Sequence, residues 1–219
     1  NPDFLPMLND NLERIRKKAK HDYDVKLFVT VYEENYIVDS KNHYTVTFFD
    51  TVEDKYDIII CNPPTEFYGK YSEEALTAGG VSLVKINAAF LFAKMAAKHL
   101  EEDGRLVIIL PITYATAAEL STLRKEMAKS LSINRIHLFI GKQKNLKRAV
   151  PLKKNFIISY EKGEKSGSVQ ITTSTDAGKS ITSLPPLPYD FVVDPENGML
   201  TLPKSVEDTN IVRYISNFP

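Results

Sequence analysis

The chain has no tryptophan, a single cysteine and only nine glycines, and no glycine precedes Gly69. A first third without glycine offers no backbone free of Cβ atoms to approach a ligand closely. The lone Cys61 excludes an internal disulfide framework and a cysteine-rich metal site, a usage that fits a reducing, cytoplasmic compartment. The four histidines, His21, His43, His99 and His137, are scattered without metal-ligand spacing and read as surface or packing residues, so no metal is expected. Lys and Arg total 28 against 28 Asp and Glu, so no whole-molecule field draws the protein to a polyanion, and any such attraction needs a local patch. No apolar run is long enough to span a bilayer, no secretory signal is visible, and no internal repeat occurs. What remains is a 219-residue chain able to bury a real core, with one α/β domain plus extras as the natural reading.

The most informative stretch runs from Tyr56 to Tyr71. Ile58, Ile59, Ile60 and Cys61 make a short, β-branched apolar run that stops at Asn62-Pro63-Pro64. Such a run reads as a strand buried on both faces of a parallel sheet, with a loop at its carboxyl end, the edge where α/β sheets bind ligands. Each proline biases the residue before it toward extended backbone, so the loop leaves the strand stiff and presents the Asn62 amide and the Pro63 carbonyl outward. Two fixed acceptors without an ionisable neighbour suit gripping an amino group better than abstracting a proton from carbon. Cys61, inside the apolar run, reads as a small core residue and not as a nucleophile.

Around this stretch the pattern alternates helix and strand. Pro2 to Lys20 reads as an amphipathic helix carrying Phe4, Leu5, Leu8, Leu12 and Ile15, and Val25–Tyr32 and Tyr44–Phe49 read as strands with Tyr36-Ile37-Val38 as a further short one. Gly79-Gly80 marks a mobile loop. Residues 86–100 form a helix, with Asn87 as its cap, and Gly104 turns the chain into the buried strand Arg105–Pro111. Ala117–Leu131 is the next helix, followed by strands at Ile133–Ile140 and Asn155–Tyr160, the second expected antiparallel. A tail rich in Ser, Thr and Pro leads to strand-like pieces beyond Pro188 and a helix over Val206–Ile215.

Tyr56-Asp57-Ile58-Ile59-Ile60-Cys61-Asn62-Pro63-Pro64 resembles the catalytic strand and loop of the amino-group methyltransferases, whose signature is Asn-Pro-Pro followed by Tyr or Phe. The flanks are most similar to the adenine-N6 DNA methyltransferases of bacterial restriction–modification systems. The resemblance implies a Rossmann-like class I α/β sheet, mostly parallel, with S-adenosylmethionine as methyl donor and double-stranded DNA as partner. It implies that Asn62 and the carbonyl of Pro63, with Pro64 stiffening the loop, hold the target amino group, and that Asp50 binds the cofactor's adenine amino group. A turn-capping role is the plainer reading of Asp50. Asn1-Pro2 resemble the end of the family's ribose-binding element. The first strand and the Gly-rich loop are absent from the sequence, so the chain is expected to be an internal piece of a longer protein that does not hold the cofactor by itself. Residues 1–162 are then a partial catalytic domain, and 163–219 a tail or connector toward a target-recognition domain. One departure is specific: Thr65 stands where the family has the aromatic that stacks on the flipped base, and Phe67 or Tyr68 are the nearest substitutes.

From Arg124 to Lys154 ten Lys or Arg face one acid, and Lys142, Lys144, Lys147 and Arg148 lie between Gly141 and Pro151 with no acid. This is either a solvated face or a patch that tracks DNA phosphates without reading sequence. Three functions compete: a DNA adenine-N6 methyltransferase, a ribosomal RNA guanine-N2 or protein-glutamine methyltransferase, and a methyltransferase-like module that binds without catalysis, the last favoured by Thr65.

Overall fold

Residues of alternating burial over Leu100–Pro111 mark the centre of the fold, because Leu106, Ile108 and Leu110 are wholly buried on one face of that strand. The computed structural model describes residues 5–39, 44–46, 51–53, 55–80, 82–141, 154–163, 166–175 and 180–216. In chain order these form α1 (Leu5–Tyr23), α2 (Tyr36–Asp39), β1 (Tyr44–Val46), β2 (Thr51–Glu53), β3 (Tyr56–Cys61) and β4 (Phe67–Gly69). There follow α3 (Glu73–Thr77), β5 (Lys85–Asn87), α4 (Ala88–His99), β6 (Leu100–Pro111), α5 (Thr113–Thr116), a 3-10 turn at Ala118–Leu120, and α6 (Ser121–Met127). The last part holds β7 (Leu131–Phe139), β8 (Asn155–Lys162), β9 (Ser168–Ser174), β10 (Ile181–Ser183), β11 (Leu187–Pro188), α7 (Tyr189–Val192) and α8 (Val206–Ser216).

The main sheet runs in the order β10-β9-β7-β8-β6-β3, with β11 pairing β9. β3 lies parallel to β6 and β7 parallel to β9, while β8 is antiparallel to both of its neighbours, as expected, and β10 is antiparallel to β9. The strands β3, β6, β7 and β9 therefore point one way. This is a Rossmann-like α/β sheet.

One face of it is the core. Leu106, Ile108 and Leu110 pair with Tyr160, Ile158 and Phe156, and these in turn with Ile133, Ile136 and Leu138, so the apolar residues line up across three strands. Ala-rich α4 lies against them, its small side chains allowing close approach, and Asn87 caps it as expected by accepting from the Ala89 N–H at 2.9 Å. Burying such Leu, Ile and Phe side chains stabilises the fold by roughly 1.5–3 kcal/mol each. Two tyrosines close the core: the Tyr160 hydroxyl donates to that of Tyr114 at 2.8 Å. Beside them the buried Arg124 guanidinium donates to the carbonyls of Tyr114, Ala117 and Asn197 at 2.9, 2.8 and 3.3 Å.

Several elements differ from expectation, each for a local reason. Residues 25–33 form no strand; the segment follows α1, and Arg16 Nη2 donates to the Val29 carbonyl at 3.1 Å. Tyr36–Val38 belong to a helical turn, because the Asn35 side chain accepts from the Ile37 N–H and the Asp39 carboxylate accepts from the Asn35 N–H. The strand expected over Tyr44–Phe49 is described for Tyr44–Val46, where it pairs with β2, and the rest lies outside the described residues. The helix expected over Ala117–Leu131 is a 3-10 turn and then α6, with the Ala117 carbonyl accepting from both the Leu120 N–H and Arg124 Nη1. The turn expected at Gly104 lies inside β6, as an irregularity between Leu100 and Arg105 where the register with β3 shifts and Asp103 takes φ +62°. The Ser/Thr-rich stretch after Gly163 supplies two further strands of the main sheet, β9 and β10.

The largest correction concerns β3. Its apolar run predicts burial on both faces, yet Ile58 and Ile60 are 65% and 78% exposed. Ile59 and Cys61, registered with Leu106 and Ile108, turn to the core, whereas Ile58 and Ile60 share the opposite face with Arg105 and Val107. Among the described residues no further strand pairs with the outer edge of β3, and the apolar side chains of that opposite face stay outside the core cluster. No helix among the described residues is long and apolar enough to cross a membrane.

Candidate active site

Because β3 and β6 are parallel, the chain leaves both at one edge of the sheet, through Asn62 after β3 and Ile112 after β6. Asn62 and Pro64 are exposed and Pro63 half-buried. Neither proline has an N–H to donate, so the loop cannot satisfy its own acceptors as an ordinary turn would. Among the described residues neither the Asn62 amide nor the Pro63 carbonyl takes part in a hydrogen bond.

The loop is nevertheless held at both ends. Cys61 is fixed in the ladder opposite Ile108, and at the far end the Glu66 carbonyl accepts from the Ala88 N–H at 2.9 Å, at the first residue of α4. Beyond it β4 pairs antiparallel with β5, Phe67 opposite Asn87, and Lys70 N–H donates to the Val84 carbonyl at 3.0 Å. β4, α3 and β5 thus form a flap that springs from the Asn62 loop and returns to α4.

Thr65 is exposed on this loop. Phe67 and Tyr68 alternate across β4 and part company: Phe67 is 66% exposed, whereas the Tyr68 ring packs against the core. The Tyr68 hydroxyl donates to Glu66 Oε1 at 2.7 Å; desolvation, then the Glu66 carboxylate, hold its proton more tightly than usual. The Cys61 thiol is pushed up to about 11 by burial, so it stays protonated near neutral pH, in keeping with a packing role.

Asp50, Lys142, Lys144, Lys147 and Arg148 lie outside the described residues. Their flanks do not: β7 ends at Phe139, pointing the same way as β3 and β6, and the Lys154 carbonyl accepts from the Ile112 N–H at 2.8 Å. Both ends of the connection that bears the four basic residues are therefore at the edge that carries Asn62. Of the histidines, His99 Nδ1 meets the Tyr36 hydroxyl at 3.2 Å, and His137 places its ring nitrogens 2.9 Å from the hydroxyls of Thr172 and Ser174. His21 is exposed beside Asp22, and His43 lies outside the described residues.

One side chain near the flap belongs to no motif of the sequence. Lys94 reads there as part of an ordinary helix alternation, yet it is only 9% exposed, with Nζ 3.2 Å from Glu126 Oε2 and 3.4 Å from the Gly80 carbonyl. Its one signal in the sequence is its place in the middle of α4, among alanines and phenylalanines, whereas the helix's other lysine, Lys98, lies in the last turn.

The chain is similar to known proteins. The chain is 28% identical over 144 residues to the type II methyltransferase M.PstI of Providencia stuartii, covering 65% of this chain and 28% of the relative. It is 26% identical over 140 residues to M.BsuBI of Bacillus subtilis, covering 63% and 28%. The chain thus spans little more than a quarter of the length of these relatives. Among solved structures, one of a type I restriction–modification system aligns with 84% of this chain and 32% of its own, at 14% identity and a TM-score of 0.48. The family profile described as Eco57I restriction-modification methylase matches residues 6–145, a span that includes the whole Asn62 loop and its flap, and the chain belongs to that family.

Proposed function

We propose that this chain is the catalytic portion of a site-specific DNA adenine-N6 methyltransferase in a restriction–modification or phage-defence protein. Residues 163–219 extend its sheet and lead toward a target-recognition domain. The observation that carries the reading is the pair of unspent acceptors, the Asn62 amide oxygen and the Pro63 carbonyl, held at the carboxyl edge of β3 on a loop fixed at both ends.

An exocyclic amino nitrogen is a poor nucleophile because its lone pair is delocalised into the ring. Hydrogen bonds from its two hydrogens to Asn62 and Pro63 localise that pair on the side away from the acceptors. As the new N–C bond forms, positive charge grows on the nitrogen and the same acceptors stabilise it, more in the transition state than in the ground state. The amino group then releases one proton and keeps the methyl. A base inside a duplex cannot reach this loop, so the adenine flips out. Phe67, exposed on β4, is the aromatic placed to stack on it in the absence of one at position 65. Lys142, Lys144, Lys147 and Arg148 track the DNA backbone beside the site.

The family uses S-adenosylmethionine, which supplies the methyl group when bound. The described residues do not make a cradle for it: the first glycine is Gly69, and Asp50, proposed to bind its adenine amino group, lies outside them.

The test is methylation of unmethylated plasmid by the protein at its natural length, with labelled S-adenosylmethionine and mass spectrometry of the nucleosides. N6-methyladenine is the expected product. N2-methylguanine in RNA or methylglutamine in protein would overturn the substrate assignment. Thr65 favours a second reading, a DNA-binding module without catalysis, and DNA binding without any transfer would decide for it.

A further inference from the structure

We propose that Lys94 is a positioning residue, the latch that holds the outer part of the β4–α3–β5 flap, beside the Asn62 loop, against the body of the domain. The inference rests on the methyltransferase reading for its consequence in catalysis, though not for the latch itself.

Lys94 sits in the middle of α4, where its neighbours Phe90, Leu91, Ala93, Met95 and Ala96 are all buried. A lysine so placed loses hydration and needs partners. It has two, on different elements. Glu126, on α6, supplies a carboxylate oxygen at 3.2 Å, and the Gly80 carbonyl, on the flap, lies at 3.4 Å. The flap turns here because Gly79 and Gly80 adopt φ of +92° and +75°, and the turn ends α3 by returning the Gly80 N–H to the Ala75 carbonyl at 2.8 Å. Lys94 therefore grips the flap at the turn that ends α3. Lys94 lines a crevice together with Ser82, Leu83 and Ile86 of the flap, Leu120 of the 3-10 turn and Leu123 of α6.

The three linked elements belong to the chemistry. The flap begins where the Asn62 loop ends, and α6 follows the segment that leaves β6 at the same sheet edge. The β4–β5 pair and the Ala88–Glu66 hydrogen bond hold Glu66 and Phe67 beside Asn62 whether the latch is open or closed. With it closed, α3 and the Gly79-Gly80 turn are held against α4 and α6; with it open, this outer part of the flap swings freely.

Lys94→Met keeps the aliphatic stem and removes the charge. Glu126 is half exposed and returns to solvent, and the Gly80 carbonyl can be hydrated, so the melting temperature should stay the same or rise. Hydrogen exchange at amides 70–84 should nevertheless accelerate roughly tenfold, the loss of one charge-assisted hydrogen bond being felt locally. In the natural-length enzyme KM for DNA should rise by a similar factor with kcat within about twofold, and Lys94→Arg should restore both. Unchanged exchange in the flap overturns the latch. So does a fall in melting temperature with kcat and KM moving together, which is what a merely structural lysine would give. If wild type transfers no methyl group, the functional reading fails while the exchange experiment still decides the latch.

Discussion

Replacing Asn62 by alanine separates catalysis from folding more cleanly than any other change in this domain. The side chain is exposed and, among the described residues, makes no hydrogen bond, so nothing in the fold depends on it. Surface changes of this kind shift stability by no more than about 0.5 kcal/mol, which for a chain of this length is about 1–2 °C in melting temperature. The effect on transfer should be far larger. Removing one preorganised hydrogen-bond partner of developing charge costs roughly 2.7–4 kcal/mol, or about 100- to 1000-fold in kcat. The sign of the role can also be read. Asn62→Asp keeps the accepting oxygen and should retain more activity than Asn62→Ala, whereas a residue acting as donor would lose as much in both. The assay is single-turnover methyl transfer to a duplex by the natural-length protein, with thermal melts of each variant alongside. A rate loss below about fivefold would refute the account, as would a melting temperature that falls by several degrees along with the rate.

Other outcomes follow from the same structure. If Lys142, Lys144, Lys147 and Arg148 touch phosphates, changing all four to Gln should weaken DNA binding for every sequence alike. The slope of log K against log salt should also flatten, by about 0.9 for each phosphate that is no longer neutralised. Phe67→Ala should lower transfer by about 5- to 150-fold, the rate equivalent of roughly 1–3 kcal/mol of base stacking, while Thr65→Tyr should raise activity or barely change it. If Thr65→Tyr switches on an inactive protein, the site is a disabled one. Burial holds the Tyr114 hydroxyl up to about 12 and that of Tyr160 well above the ordinary tyrosine range. Above about pH 10 the unfolded chain releases these protons and the folded chain keeps them, so stability should fall by about 1.4 kcal/mol per pH unit for each. Below that pH both states hold the protons and the dependence vanishes. Urea melts between pH 9 and 11 would show it, and a slope that Tyr160→Phe leaves unaltered would refute the cause.

The parts of the fold legible in the sequence are those where burial is one-sided and continuous. α4 and β6 announce themselves because a run of alanines and phenylalanines leads into alternating Leu and Ile, and β8 because Phe156, Ile158 and Tyr160 recur at every second position. β9 is illegible for a chemical reason. Val169-Gln170-Ile171-Thr172-Thr173-Ser174 has a loop-like composition, yet its hydroxyls are satisfied within the sheet: Thr172 and Ser174 by His137, and Thr172 also by the Ile136 carbonyl. β-branched threonine pairs as readily as valine once its oxygen has a partner. At the site, the Asn62 loop can be read because proline leaves an explicit trace in the backbone. The division between Phe67 outward and Tyr68 inward cannot, since it depends on Glu66 being near enough to accept from the Tyr68 hydroxyl. Lys94 is hidden because a charge looks the same in sequence whether solvent or a carbonyl on a distant turn receives it.

The exposed side of β3 bears on how this chain behaves as a colloid. Ile58 and Ile60 stand out from a strand that is the last in the main sheet among the described residues. An edge strand with exposed apolar side chains is adhesive toward an extended peptide, including a second copy of itself. Nothing in the net charge opposes such an encounter, because the positive and negative totals cancel and two molecules meet without long-range repulsion. The strand that presents the Asn62 acceptors is thus also a seam along which the isolated chain is prone to stick to itself.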